Sequence, residues 1–340
     1  MNESYIRDLT LKLCGAHAPS GAEDEMSDAI YDELCSFADD VMRAPDGSVT
    51  ARFSGTGEGS IMFTSSMDEP GFMVRSYTDD GCLRITPLGD SRVWHLIGRR
   101  VVLLCESATV HGCVGAVPVH LSNSTMPKYS DLYIDIGADS RADAEVRVPL
   151  GTFGTLECDP APFGSRGDEV RGRGLATRAG CAALCAAARG VAEAHRLPRD
   201  ISFSFTCRGH LKLSGAAAPA QRYLPTDTVF VGYASADPMP EGGIRCGGGI
   251  VIDAGSGEVL NEKLTSQICR TAEGYLANWH RTASNAKADA LADISAAGCR
   301  TACIRIPVRY AMSASSVASF SDIAAAAELI FHMATEDCKE

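Results

Sequence analysis

A run of short β-type segments interrupts an otherwise alternating helix and strand pattern in this chain of 340 residues. Between about residues 71 and 163, β-branched and aromatic stretches alternate with turn residues, which is typical of a small β-barrel or sandwich. On both sides of it, apolar strands alternate with helical segments, as in an open sheet covered by helices. The sequence therefore predicts an α/β domain, formed by residues 1–70 and 164–340, with an inserted β-barrel or sandwich of residues 71–163.

The α/β part carries recognisable element signals. Ser20 and Glu23 have the spacing of a capping box, which predicts a helix beginning at these residues. The alanine-rich residues 177–195 predict a further helix, because Pro198 follows them and cannot continue it. Continuous apolar strands, of the kind buried on both faces of a sheet, are predicted at 60–64, 201–206, 228–233 and 302–306.

The charge balance excludes several kinds of partner. Lys and Arg total 31 against 43 Asp and Glu, a formal net charge of −12. Nucleic acids and anionic membrane surfaces require a basic face, so neither is expected as a partner. No apolar run reaches the roughly 18 residues of a membrane span, and the first ten or so residues lack the apolar core of a signal peptide. These features predict a cytoplasmic protein.

The 14 cysteines are spread along the chain and form no Cys-x-x-Cys pair. The closest spacings are four residues, in Cys181/Cys185 and Cys299/Cys303, and no histidine lies nearby in the sequence to complete a tetrahedral zinc site. We therefore interpret the cysteines as small buried side chains in a reducing compartment.

Several stretches resemble the glutamyl and deblocking aminopeptidases, a family of dinuclear zinc exopeptidases also labelled endoglucanase-like or cellulase-like. The most specific are Met-Asp-Glu-Pro-Gly-Phe-Met-Val at 67–74 and Leu-Tyr-Ile-Asp-Ile-Gly-Ala at 132–138. Further matches, in the family's order, lie at 19–25, 80–84, 87–89, 98–101 and 306–310. The resemblance covers nearly the whole chain. It implies a three-layer α/β exopeptidase domain with an inserted small β-barrel domain, and assembly into a homo-oligomer.

In that family, two divalent metals such as zinc or cobalt polarise the peptide carbonyl and lower the pKa of a bridging water, which a carboxylate deprotonates. The resemblance aligns the first histidine ligand with Ser66, and the aspartate that bridges the metals with Ala176, beside Thr177. It aligns the general base with Gly209, which has no side chain to accept a proton. The central chemistry of the family therefore lacks its usual residues here.

The remaining ligand positions are also substituted. They align with His210, Gly232 and Met312, of which only His210 carries a plausible metal donor. The motif residues Asp68 and Glu69 are retained, and in the family the aspartate orients the first ligand. A single neutral imidazole binds a divalent metal weakly, so the sequence predicts no bound metal and no functional catalytic residue.

The leading hypothesis is a homologue that has lost its metal site and peptidase activity. It would act as a binding or assembly protein, with a short peptide as a conceivable ligand. Its vestigial pocket would comprise Ser66, Asp68, Glu69, Ala176, Thr177, Gly209, His210, Gly232 and Met312. One alternative is an active aminopeptidase that binds two metals through reorganised ligands. Another is a metal-independent hydrolase, with Ser66 or Cys207 as nucleophile and His210 as base.

Overall fold

The computed structural model describes residues 2–106, 108–117, 127–211, 215–237, 243–255, 260–283 and 289–336. The α-helices in these ranges are α1 Glu3–Gly15, α2 Asp24–Cys35, α3 Val93–Leu96, α4 Arg141–Arg147, α5 Leu175–Ala192, α6 Ala217–Tyr223, α7 Glu262–Tyr275, α8 Asp289–Ala296 and α9 Phe320–Thr335. None of these helices combines the length and apolar character that crossing a membrane requires.

The strands of the described ranges form an 11-stranded sheet and a closed barrel. The large sheet contains β1 Asp40–Arg43, β2 Val49–Phe53, β3 Ser60–Ser66, β10 Ala161–Phe163, β11 Glu169–Gly172, β12 Asp200–Thr206, β13 Asp227–Ser235, β14 Ile250–Asp253, β15 Trp279–Thr282, β16 Arg300–Arg309 and β17 Ser316–Ser319. The barrel contains β4 Gly71–Tyr77, β5 Leu83–Leu88, β6 Arg100–Leu104, β7 Thr109–Ala116, β8 Leu132–Asp135 and β9 Phe153–Leu156.

Helices cover both faces of the large sheet. Val229 and Val231 of β13 belong to the main core, which includes buried residues of α1, α5 and α9. Phe230, between them, packs on the opposite face against a cluster that includes Ala220 of α6 and Ile294 of α8. Alternate residues of a strand point to opposite faces, so β13 contributes to two cores. The predicted α/β layers are confirmed.

The barrel has a core of its own. Inward-facing residues such as Val101, Leu103, Val114 and Ile134 are buried in a cluster separate from that of the large sheet. The last barrel strand, β9, ends at Leu156. The next strand, β10, pairs with β11 and so belongs to the large sheet, which places the end of the barrel strands before residue 163. The predicted small β-barrel is confirmed.

The predicted capping box at Ser20 and Glu23 is wrong. Glu23 is the N-cap of α2, but its side chain makes no cap hydrogen bond. The hydroxyl of Ser20 donates instead to Asp68 Oδ2. The Glu23 carboxylate accepts the backbone N–H groups of Gly21 and Arg208, at 2.9 and 2.8 Å. Charge-assisted hydrogen bonds in a buried region are stronger than neutral ones. Ser20 and Glu23 therefore bond to Asp68, Gly21 and Arg208 instead of forming the capping box.

The described cysteines are free thiols. The two closely spaced pairs, Cys181/Cys185 and Cys299/Cys303, are buried, in line with the interpretation from the sequence. Cys35 and Cys113 are exposed, and Cys338 lies outside the described residues. The interpretation of the cysteines as buried side chains therefore applies to the closely spaced pairs and is wrong for these two exposed thiols.

A buried carboxylate holds the glycine turn, residues 247–249, at the start of β14. Asp322 of α9 accepts the N–H of Gly247 at 2.7 Å and that of Gly249 at 2.8 Å. His280 Nε2 lies 3.1 Å from the carbonyl oxygen of Gly248. Burial raises the pKa of the Asp322 carboxyl from 3.8 to about 6, although the two backbone hydrogen bonds act in the opposite direction.

This raised pKa predicts a pH-dependent stability. Between about pH 4 and 6 the folded chain binds the Asp322 proton more tightly than the unfolded chain does, so stability falls as the pH rises. A pKa difference of about two corresponds to about 3 kcal/mol. Asp322→Asn lacks this titration. In urea unfolding, the free energy of unfolding of Asp322→Asn relative to wild type should therefore be higher at pH 7 than at pH 4.5. A pH-independent difference would contradict the prediction.

Candidate functional site

The residues predicted to line the pocket lie along one edge of the large sheet. Strands β3, β12, β13 and β16 run parallel, so their carboxyl ends meet at this edge. Ser66 ends β3, directly opposite Thr206 at the end of β12. Gly232 lies near the end of β13, and Met312 follows the end of β16. In open α/β sheets, ligands bind outside the carboxyl ends of strands, which makes this edge the candidate site.

Five residues at this edge contact one another, and we call them the edge cluster: Ser66, Asp68, Thr177, Gly209 and His210. A Cβ placed on Gly209 would lie 2.4 Å from Ser66 Oγ and 3.0 Å from Asp68 Oδ1. The N–H of His210 donates to Asp68 Oδ2 at 2.8 Å. The Thr177 hydroxyl donates to the carbonyl oxygen of Asp68 at 2.7 Å. Asp68 is thus the centre of the cluster.

The other predicted pocket residues lie outside these contacts. Ala176 is buried in the first turn of α5, directly before Thr177. Gly232 pairs with Arg305 across β13 and β16. The carbonyl oxygen of Met312 lies 3.3 Å from Nδ1 of His95 in the barrel helix α3, and Met312 has a φ of 65°. Met312 therefore belongs to the junction between the barrel and the sheet.

Two buried polar atoms of the edge cluster have no hydrogen-bond partner within the described part of the chain. They are Asp68 Oδ1 and His210 Nε2. The other carboxylate oxygen of Asp68 receives the Ser20 hydroxyl and the His210 N–H. Asp68 is fully buried, whereas His210 is partly exposed. A buried polar atom without a partner costs about 1–3 kcal/mol, so these two atoms favour a bound polar group.

A second acid adds negative charge beside the cluster. Glu23 is buried, and burial raises the pKa of its carboxyl. The hydrogen bonds from Gly21 and Arg208 lower that pKa, while the nearby charge of Asp68 raises it. The repulsion indicates that the two carboxylates share one region. A cationic group bound there would relieve it.

Glu69, although adjacent to Asp68, belongs to a separate buried ion group. Its Oε1 lies 3.2 Å from Arg173 Nε and 3.1 Å from the Arg178 guanidinium, and it accepts the N–H of Ala18 at 3.1 Å. Burial alone would raise the pKa of the Glu69 carboxyl, but the two guanidiniums hold it below the ordinary value. Glu69 therefore fixes the chain next to Asp68 through its contacts with Arg173, Arg178 and Ala18.

Sequence reasoning missed three residues that organise this region. Ser20 and Glu23 reach the site from the loop before α2, and Arg173 reaches Glu69 from the end of β11. The first two lie within the stretch that carries the family resemblance, at 19–25, and that position is the signal that could have assigned them to the site. Arg173 has no comparable signal.

The edge cluster offers few metal donors. In the described ranges, no three His, Cys, Asp or Glu side chains are grouped so that they could hold a metal ion. Zinc sites use three or four N, O or S ligands. The arrangement is suited instead to accepting hydrogen bonds, through Asp68 Oδ1 and, in one tautomer, through His210 Nε2.

Comparison with known proteins supports the aminopeptidase resemblance over most of the chain. The model of the M42 glutamyl aminopeptidase family matches residues 47–329. An aminopeptidase homologue from Acetivibrio thermocellus is 30% identical over 338 residues, which cover 97% of this chain and 98% of the homologue. Both matches include the strands and helices that carry the edge cluster.

Two solved structures have the same fold. A TET aminopeptidase from a marine sediment archaeon of the Thaumarchaeota superposes with a TM-score of 0.91 at 25% identity, over 97% of each chain. The TET1 peptidase of Pyrococcus horikoshii, which can assemble into a tetrahedron or a large octahedral shell, has a TM-score of 0.87 at 27% identity. That match covers 98% of this chain and 100% of the other. With a matching family model and a homologue aligned over nearly its full length, this chain belongs to the M42 glutamyl aminopeptidase family.

Proposed function

We propose that this chain is a metal-free member of the M42 family that binds short peptides without hydrolysing them. The observation that carries the proposal is the donor set at the edge of the sheet. Of the positions that align with the family's ligands, only His210 has a side chain that binds a divalent metal well. A dinuclear site needs several carboxylate or imidazole ligands, so the residues present do not fit a metal pair.

Local packing supports the same conclusion. The aligned general-base position is Gly209, and an atom added there would lie 2.4 Å from Ser66 Oγ. A carboxylate side chain at 209 would therefore require Ser66 to move. General-base catalysis contributes about 10²–10⁴ in rate, and this chain has no carboxylate at the position that supplies it in the family. The site thus favours binding over hydrolysis.

Assembly into a homo-oligomer is part of the proposal. The support is the likeness to the Pyrococcus horikoshii TET1 peptidase, a protein that assembles into closed shells, over the full length of that chain. In such an assembly this chain would present its edge cluster in many copies.

Metal content and turnover test the proposal together. Purified protein should contain far less than one zinc or cobalt per chain by elemental analysis. It should also release no product from aminoacyl-anilide substrates, with or without added zinc or cobalt, because the ligands and base are substituted. About two metals per chain with turnover that a chelator abolishes would instead establish an active metalloaminopeptidase. Turnover that resists the chelator but disappears in His210→Ala would indicate a metal-independent hydrolase.

A further inference from the structure

A cavity lies among the helices on one face of the large sheet, away from the edge cluster. Its volume is about 510 Å³, which is in the range of small-molecule binding sites. It is bounded by the start of α1, the end of α5 and the second half of α9. Thr177 of the edge cluster and Arg189 of the cavity are twelve residues apart on α5, which separates them by about 18 Å. The charged and aromatic residues that line the cavity are Tyr5, Arg189, Glu193, Glu328, Phe331 and His332.

The charged groups of this cavity are not paired with one another. Within the described ranges, no carboxylate forms an ion pair with the Arg189 guanidinium, and neither Glu193 nor Glu328 pairs with a basic side chain. Arg189 lies instead over the Tyr5 ring, with its Cζ 4.7 Å from the ring centroid. Arg189 precedes Glu193 by four residues on α5, which is the less favourable order for a helical ion pair. The cavity therefore offers both signs of charge to a ligand.

The aromatic walls of the cavity are held by contacts outside it. The Tyr5 hydroxyl donates to Glu33 Oε1 at 2.8 Å. The His332 ring stacks on that of Tyr275, with ring centroids 3.5 Å apart and an angle of 9° between the planes. Phe331, next to His332, adds an apolar surface. These contacts form the cavity without a ligand, which lowers the ordering cost of binding.

We propose that this cavity binds a free α-amino acid with an apolar side chain. The planar guanidinium of Arg189 matches a carboxylate, with which it can form two parallel hydrogen bonds. Glu193 and Glu328 would pair with the ammonium group, and Phe331 would contact the apolar side chain. A ligand with a single charged group would leave either Arg189 or both carboxylates unpaired.

The spacing of the charged residues favours an α-amino acid over a longer zwitterion. Arg189 and Glu193 are about one turn apart at the end of α5, so their Cβ atoms are about 6 Å from each other. A ligand that pairs with both therefore carries its opposite charges close together. In an α-amino acid, the two charged groups are bonded to the same carbon. This site is additional to the proposed peptide binding, because it lies outside the edge cluster.

Calorimetric titration of the wild-type chain with three probes tests the site: L-phenylalanine, 3-phenylpropionate and 2-phenylethylammonium. Each of the last two lacks one charged group of the first. L-Phenylalanine is expected to bind, and each analogue should bind about tenfold or more weakly, as for the loss of a charged hydrogen bond. An analogue that binds as tightly as L-phenylalanine would overturn the proposal, as would a failure of L-phenylalanine to bind.

Two variants assign the charges. Arg189→Gln should weaken L-phenylalanine binding by about tenfold or more without weakening that of 2-phenylethylammonium. The double variant Glu193→Gln/Glu328→Gln should weaken L-phenylalanine binding similarly without weakening that of 3-phenylpropionate. Arg141→Gln, at an exposed position on α4, is the matched control and should bind L-phenylalanine as wild type does. Wild-type affinity for L-phenylalanine in either cavity variant would overturn the proposal.

His210→Ala separates this cavity from the edge cluster. This variant should bind L-phenylalanine as wild type does. If the binding disappears in His210→Ala and persists in Arg189→Gln, the amino acid binds at the edge of the sheet and the proposal is overturned. Metal content and turnover of aminoacyl-anilides test the proposed function separately, and neither result changes what the cavity is expected to bind.

Discussion

Replacing Glu69 with glutamine is expected to lower the free energy of unfolding by about 3–5 kcal/mol, as for other buried ion pairs broken on one side. Arg173 and Arg178 are buried and share the single carboxylate of Glu69. A neutral amide at position 69 would leave two guanidinium charges without a counterion in a region of low dielectric constant. Their remaining hydrogen bonds go to backbone carbonyl groups, which carry no net charge.

Comparison of urea unfolding between the single variants Glu69→Gln and Glu145→Gln measures this effect. Glu145 pairs with Arg141 at 2.8 Å on the surface of α4, where both side chains are exposed. The surface variant should lose no more than about 0.5 kcal/mol. Similar losses for the two variants would show that the buried guanidiniums do not depend on Glu69 for their charge balance.

Gly249→Ala is expected to destabilise the fold by about 3 kcal/mol or more, because strain and overlap add. Gly249 has a φ of 94°, which L side chains rarely adopt. A Cβ at this position would also lie 2.1 Å from the backbone carbonyl oxygen of Asn278. Backbone atoms cannot move aside as the end of a flexible side chain can, so the turn or the start of β14 must shift.

Gly247→Ala is the matched control two residues away. Gly247 also has a positive φ, 80°, but the nearest atom to an added Cβ is Ser319 Oγ, at 3.9 Å. The control carries the conformational strain without the overlap and should lose about 1–2 kcal/mol. Thermal unfolding of the two variants separates the two effects. Equal losses of stability would mean that the backbone around Asn278 moves aside without cost when the Cβ is added.

The fold could be predicted from the sequence because local patterns determine its layers. The change from mixed helix and strand to strands alone near residue 71 predicted the barrel. Helix bounds were less accurate: residues 177–195 were predicted, and α5 spans Leu175–Ala192. The helix starts earlier because Gly174, at a φ of 66°, turns the chain directly into it. Such a turn has no strong local signal beyond glycine itself.

The site was only partly predictable. Asp68, Thr177 and His210 followed from the resemblance, but their mutual contacts depend on distant partners. Ser20 lies 48 residues from Asp68 along the chain, and its hydroxyl donates to that carboxylate instead of capping a helix. Local spacing favours the cap, so no short-range pattern distinguishes the two outcomes.

Arg173 joins the two parts of the molecule through one guanidinium. It donates to the carbonyl oxygen of Leu156, where the last barrel strand ends, and to those of Gly15 and Ala16, at the end of α1. Its Nε faces Glu69, next to Asp68. A displacement of the barrel at Leu156 would therefore change the position of Arg173 and, through it, that of the Glu69 carboxylate next to Asp68.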